Sequence, residues 1–133
     1  NCMDGRVQLP VIGFLQKRFD AEYVDVVTEP SPNFVLAGQS NPDLVASIRD
    51  RVRVSIECHH SGGIAIVGHH DCAGNRAPKE EQILWIENAV EFMRDRYGEL
   101  EVIGLWVDEN WQVIEIPVEK GDCNASSHHY GIA

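Results

Sequence analysis

Apolar residues recur at two spacings along this chain, and the alternation between them predicts its architecture. Val11, Ile12, Leu15 and Phe19 fall three or four residues apart, with Lys17 and Arg18 at the end where cations complement a helix dipole. Val7 to Phe19 is therefore predicted helical, with Pro10 in its first turn. Tyr23 to Val27 is rich in β-branched residues and reads as a strand. Thr28 to Asn33 carries two prolines and reads as a loop, and Phe34-Val35-Leu36 is too short to assign. Asn41-Pro42-Asp43 combines a cap, a first-turn proline and a first-turn acid; the stripe Val45, Ile48, Val52, Ile56 carries that helix to about Cys58. Ser61-Gly62-Gly63 ends it. Ile64 to Val67 is a short apolar run closed by Gly68, as expected of a buried strand.

The strongest helical pattern follows Pro78. Ile83, Ile86, Val90, Met93 and Tyr97 form one stripe, and Trp85, Ala89 and Phe92 widen it. Acids begin this helix, Arg94 and Arg96 end it, and Gly98 suits the position just beyond. Glu101 to Val107 and Trp111 to Ile116 are strand patterns joined by Asp108-Glu109-Asn110, a β-hairpin. Helices alternating with strands predict an α/β fold: a mainly parallel β-sheet flanked by helices, with a C-terminal hairpin. Residues 1–118 are expected to form a single domain and residues 119–133 a polar, flexible tail containing Cys123, His128 and His129.

Composition narrows the function. A chain of 133 residues, 44% hydrophobic and 24% charged, supports one globular, soluble core. The net charge of −10 argues against nucleic acid or an anionic membrane surface as a partner. Arg49, Arg51 and Arg53 are offset by Asp43, Asp50 and Glu57 and read as a solvated face. No apolar run approaches the ~18 residues of a membrane span, and no signal-peptide pattern is present. Four cysteines are too sparse for a disulfide scaffold, so a reducing, cytoplasmic setting is expected. If Cys2 ends a strand, residues forming that strand are expected to precede it in the full protein.

Candidate chemistry gathers in two places. After the central strand come His69, His70 and Cys72, and His-x-x-Cys spacing can bring an imidazole and a thiolate onto one ion. At the other end, Cys2, Asp4 and Arg6 occupy alternate positions, which an extended segment would turn to one side. Taken alone, Asp4 and Arg6 read more readily as an ordinary exposed ion pair, worth little. Parallel strands carry their C-terminal ends on one edge, where Cys2 and the His69/Cys72 turn can meet. Two thiolates and one imidazole make a three-ligand zinc site with one open position. His69 is preferred by spacing; His70 is then a polar neighbour able to hydrogen-bond around the site. Cys58-His59-His60 reads as a buried free thiol with histidines capping a helix C-terminus, in preference to a second metal cluster.

Cys-x-Asp-x-Arg followed much later by Gly-His-x-x-Cys resembles the β-class carbonic anhydrases, loosely from Cys2 to Val118. The resemblance implies Cys2, His69 and Cys72 as ligands of a Zn2+ cofactor, and Asp4 with Arg6 as a catalytic dyad. It implies reversible hydration of carbon dioxide to bicarbonate by a homodimer or higher homo-oligomer. A related zinc hydrolase of carbonyl sulfide or carbon disulfide would use the same apparatus. The rival reading is a non-catalytic, zinc-stabilised binding or regulatory domain, in which Cys123 or His70 closes the metal as a fourth ligand. The chain departs from the family pattern where Val26 to Pro30 stands near the place of an Arg-Asn-Ala-Gly strand, and where Cys72-Ala73-Gly74 replaces a Cys-Gly pair. Leu105-Trp106-Val107 is expected near a sheet edge, buried by a partner subunit.

Overall fold

The computed structural model describes residues 1–119 and 130–133. In chain order the elements are α1 (Gly5–Arg18), β1 (Tyr23–Asp25), α2 (Pro32–Gly38), α3 (Pro42–His59), β2 (Gly63–His69), α4 (Lys79–Arg96), β3 (Glu101–Val107), β4 (Val113–Ile116) and β5 (Tyr130–Ile132). One five-stranded sheet runs in the order β1-β5-β2-β3-β4. β1, β5, β2 and β3 are mutually parallel, and β4 turns back antiparallel to β3.

Period-two alternation sorts the core into two layers. Ile64, Ile66, Val102 and Trp106 face Leu36, Ile48, Val52, Ile86, Val90 and Met93 of α2, α3 and α4. Ala65, Val67, Ile103, Leu105 and Val107 face Val7, Val11 and Leu15 of α1. β2 is buried along its whole length, as a central parallel strand covered on both faces must be. The α/β expectation therefore holds, including the antiparallel hairpin.

Several boundaries differ from the sequence reading. Gly68 does not end the central strand, which continues to His69. Its missing side chain reflects a close helix approach: a Cβ there would lie 2.9 Å from Ile86 Cδ1, and one at Gly104 only 2.6 Å from Ile86 Cγ2. α4 thus reaches the sheet over two glycines on neighbouring strands. Gly104→Ala is expected to destabilise the fold by about 1–3 kcal/mol through overpacking. Gly13→Ala, in α1 with nothing near its Cβ position, is expected to stabilise it by about 0.5–1 kcal/mol. Urea-unfolding midpoints of the two variants check both signs.

α3 stops at His60, whose left-handed backbone caps it, ahead of the glycine pair. Cys58 is exposed, not buried as expected, because it lies off the apolar stripe of α3. β4 starts at Val113; Trp111 belongs to the hairpin turn, with a left-handed φ of 59°. Leu105-Trp106-Val107 is no dimer surface. β3 lies between β2 and β4, and all three side chains are buried within the chain.

The largest difference concerns the end of the chain. Residues grouped with the polar tail include β5, which inserts between β1 and β2 and buries Ile132 and Ala133. Three residues carry too little pattern to announce a strand, and their pairing on both sides supplies what local propensity does not. Gly131 and its register partner Gly63 both lie under the Phe19 ring, at 2.9 and 2.6 Å from the position of a Cβ. Cys123, His128 and His129 lie outside the described residues. No helix among the described residues is long and apolar enough to cross a membrane.

Candidate metal centre

The alternation that points Ala65 and Val67 towards α1 also carries His69, the last residue of β2, to that side. His69 is fully buried. Cys2 arrives from the N-terminal segment through an isolated parallel bridge to Glu29, supported by Met3 N–H donating to Glu29 O at 3.0 Å. Cys72 follows a tight turn in which Asp71 takes a left-handed φ of 58°. The two sulfurs are 3.9 Å apart, and the three candidate ligand atoms all lie within 4.8 Å of one another. Among the described residues this is the single group of three or more such side chains arranged to hold a metal ion.

The donor set fits a borderline-soft divalent ion. His69 Nδ1 donates to the His70 carbonyl at 2.7 Å, which fixes the tautomer and leaves Nε2 as an acceptor. That Nε2 is buried and has no hydrogen-bond partner, a costly arrangement that a metal would relieve. Two sulfurs and one imidazole nitrogen, with no fourth protein ligand in the group among the described residues, are consistent with a three-ligand protein site for an ion such as zinc. His70 is exposed and stands outside the group; its contribution is the backbone carbonyl that orients His69.

Electrostatics prepare the group for a cation. The hydrogen bond from Cys72 pulls the Cys2 thiol well below its ordinary range despite burial, and His69 with the backbone N–H groups of Ser31 and Asp4 adds to the effect. Cys72 is pushed up by its place beside the Cys2 thiolate and by burial. The pair thus shares one proton without metal. Burial lowers His69, but the negative charge of the neighbouring Cys2 thiolate and the hydrogen bond to the His70 carbonyl outweigh it and raise the imidazole overall. A divalent ion bound here would replace these protons with a better-matched charge.

Cys2, Asp4 and Arg6 do not line an extended strand. α1 begins at Gly5, and Asp4 is its N-cap, accepting the Arg6 N–H at 2.9 Å. The helical turn nevertheless brings the two side chains together. Arg6 Nε donates to Asp4 Oδ1 at 3.1 Å and Nη2 donates to Oδ2 at 2.6 Å, a forked pair that holds the Asp4 carboxyl down at about 2.

Three residues here escaped the sequence reading. Asp71 accepts from Arg6 Nη1 at 3.2 Å through its carboxylate and from Nη2 at 3.1 Å through its carbonyl. The Trp111 ring lies 4.5 Å from the Arg6 guanidinium carbon. Gln8 Nε2 donates to the carbonyls of Cys2 and Asp4 at 2.7 and 2.9 Å, bracing the ligand segment on the first turns of α1. Asp71 was within the motif and available as a candidate; Trp111 and Gln8 carry no local signal. Beside the centre opens a cleft lined by Arg6, Asp71, Cys72, Asn75, Arg76 and Gln82. Gln82 of α4 anchors the turn below it through the carbonyls of Asn75 and Ala77. The other histidine cluster is separate: His59 Nδ1 pairs with Asp25 Oδ2 at 2.6 Å and its ring stacks on Tyr130.

A mostly parallel sheet carrying a buried two-cysteine, one-histidine group at one edge, with a clamped Asp–Arg pair on the segment that bears Cys2, defines an α/β protein whose side chains could hold a metal ion. Residues 1–117 match the family model described as "Putative carbonic anhydrase", and the chain belongs to that family. Nothing among curated proteins or among solved structures matches it.

Proposed function

We propose that this protein is a zinc-dependent carbonic anhydrase catalysing the reversible hydration of carbon dioxide to bicarbonate. The observation that carries the reading is the convergence of Cys2, from the N-terminal segment, with His69 and Cys72, from the end of the central strand, beside the Asp4–Arg6 pair. Zinc held there would supply a Lewis acid that makes water nucleophilic near neutral pH. Cys2, His69 and Cys72 would hold the ion. Asp4, ionised throughout the working range, accepts a hydrogen bond from the attacking water and orients its lone pair towards the substrate carbon. Arg6 keeps Asp4 in one orientation by forked hydrogen bonding. The experiment is metal analysis of the purified chain together with hydration rates over a pH series. Stoichiometric zinc with catalysis supports the proposal. A folded, zinc-loaded and inactive chain sinks it and leaves a zinc-stabilised binding or regulatory domain, the reading favoured by Val26 to Pro30 in place of the family's Arg-Asn-Ala-Gly strand. Turnover of carbonyl sulfide or carbon disulfide instead of carbon dioxide would reassign the substrate and keep the residue roles.

A reducing cytoplasmic setting suits a centre that depends on two free thiols. A homodimer is part of the same proposal. Its support within the chain is the exposure of Leu9 and Met3, at 81% and 63%, on and next to the helix that covers the metal side of the sheet. Sedimentation at micromolar concentration is expected to show a dimer, and a purely monomeric chain would remove this part of the proposal.

A further inference from the structure

The Arg6 side chain is 44% exposed, and its bond to Asp4 would ordinarily be a mobile surface pair. It is held on three sides instead. One edge of the guanidinium meets the Asp4 carboxylate, the other meets the carboxylate and carbonyl of Asp71, and one face lies against the Trp111 ring. Asp71 and Trp111 share a second peculiarity: both are non-glycine residues with left-handed backbones, at φ 58° and 59°. A bulky residue is rarely found there, and persists only where its surroundings over-determine it. For Trp111 those surroundings are visible. Asp108 accepts from the N–H groups of Asn110 and Gln112, both at 2.9 Å, and its carbonyl accepts from Trp111 N–H at 3.0 Å. The hairpin turn is thus locked in the form that lays the indole over Arg6.

We propose that Asp71 and Trp111 are positioning residues that fix the Arg6 guanidinium and, through it, the orientation of Asp4. The inference rests on the reading of Asp4 as the group that orients the attacking water. Asp71 lies between His69 and Cys72, so the turn that presents two metal ligands also presents a partner to Arg6. Arg6 in turn ties that turn to the segment bearing Cys2 and Asp4. Trp111 closes the exposed face of the guanidinium and contributes a cation–π contact. With both present, Arg6 has one available placement. With either absent, one edge or face is released to water and Asp4 loses its fixed partner geometry.

The test compares Asp71→Gly, Trp111→Gly and Trp111→Phe with wild type, as full zinc-loaded chains. Glycine adopts the left-handed conformation freely, so the first two remove the side chain without straining the turn. Three quantities are read: zinc content, kcat and KM for carbon dioxide hydration, and the NMR signal and solvent exchange of the Arg6 Nε–H in zinc-loaded and metal-free chains. Both glycine variants are expected to speed Arg6 Nε–H exchange and to lower kcat by about 10- to 100-fold, as misplacement of a reacting geometry does, with KM and zinc content unchanged. Trp111→Phe, which keeps an aromatic face, is expected to recover most of both losses. Should Trp111→Gly fold poorly, Trp111→Leu removes the ring while keeping bulk. Unchanged Arg6 exchange in the Asp71 and Trp111 variants overturns the inference, as does altered exchange with unaltered kcat in an active enzyme. A fall in kcat that tracks zinc loss also overturns it, since the residues then support the ligand turn and not Arg6. An inactive zinc-loaded wild type overturns the enzymatic reading and, with it, the positioning of Asp4 for catalysis. The exchange data then show separately whether Asp71 and Trp111 hold Arg6.

Discussion

Cys72→Ser is expected to strip most of the zinc from the protein, while Cys58→Ser leaves it in place. The two cysteines differ in every relevant respect. Cys72 is buried, 3.9 Å from the Cys2 sulfur and grouped with His69; Cys58 is exposed on α3 and belongs to no such group. Losing a ligand outright should cost more than the ~10- to 100-fold in affinity typical of losing a residue that merely supports one. Because metal binding and folding are coupled, the Cys72 variant should also melt below wild type in zinc-containing buffer. The gap should narrow when a chelator is added to both, since wild type then loses the same stabilisation. Metal analysis and thermal melts with and without chelator read the two effects. Equal zinc loss in the Cys58 and Cys72 variants would refute the assignment of the centre.

Asp4→Asn and Arg6→Ala are expected to keep zinc and lose catalysis. Asparagine is the appropriate substitution at Asp4 because its side-chain oxygen can still accept the Arg6 N–H and cap α1; alanine would also forfeit the cap, worth about 0.5–2 kcal/mol. The expected fall in kcat for Asp4→Asn is about 100- to 1,000-fold, the range seen when one preorganised polar group is removed from an active site. Arg6→Ala should fall as far, since an unpartnered Asp4 is free to turn towards the metal as a hard ligand. The pH dependence separates Asp4 from the metal. Two thiolates neutralise zinc more fully than imidazoles do, so wild-type activity should rise on the alkaline side of the ~7 typical of three-histidine zinc sites. Asp4, held at about 2 by Arg6, is ionised throughout that range, so its titration does not produce the rise. Asp4→Asn should therefore show the same alkaline rise at a lower plateau. Full activity in Arg6→Ala would show that the Asp–Arg pair has another purpose in this chain.

The metal group draws on two kinds of information. His69 was preferred to His70 from the His-x-x-Cys spacing, and the structure places His69 with Cys2 and Cys72. The parity that explains this placement depends on β2 running on through Gly68, which a sequence pattern treats as punctuation. The Asp4–Arg6 pairing was legible as a spacing but for another reason than the one that operates: an N-cap followed by the first residues of a helix, not an extended strand. Cysteine is commonly buried, which makes a buried Cys58 the expectation from sequence, but this one lies off the apolar stripe of its helix and is exposed.

What the sequence determined by itself is whatever repeats along the chain. Helical stripes in α1, α3 and α4, apolar runs in β2 and β3, and the hairpin turn each need only neighbours a few residues away, and these predict the α/β layering. The ligand types and their order are likewise written locally. Tertiary structure decided the remainder. α2 and β5 are too short for propensity to select, and they form because other elements pack on them or pair with both their edges. The left-handed turns at Asp71 and Trp111 bring residues from two loops onto Arg6. No repeat in the sequence encodes that meeting, because it depends on the sheet order, and the sheet order is set by which distant surfaces bury one another.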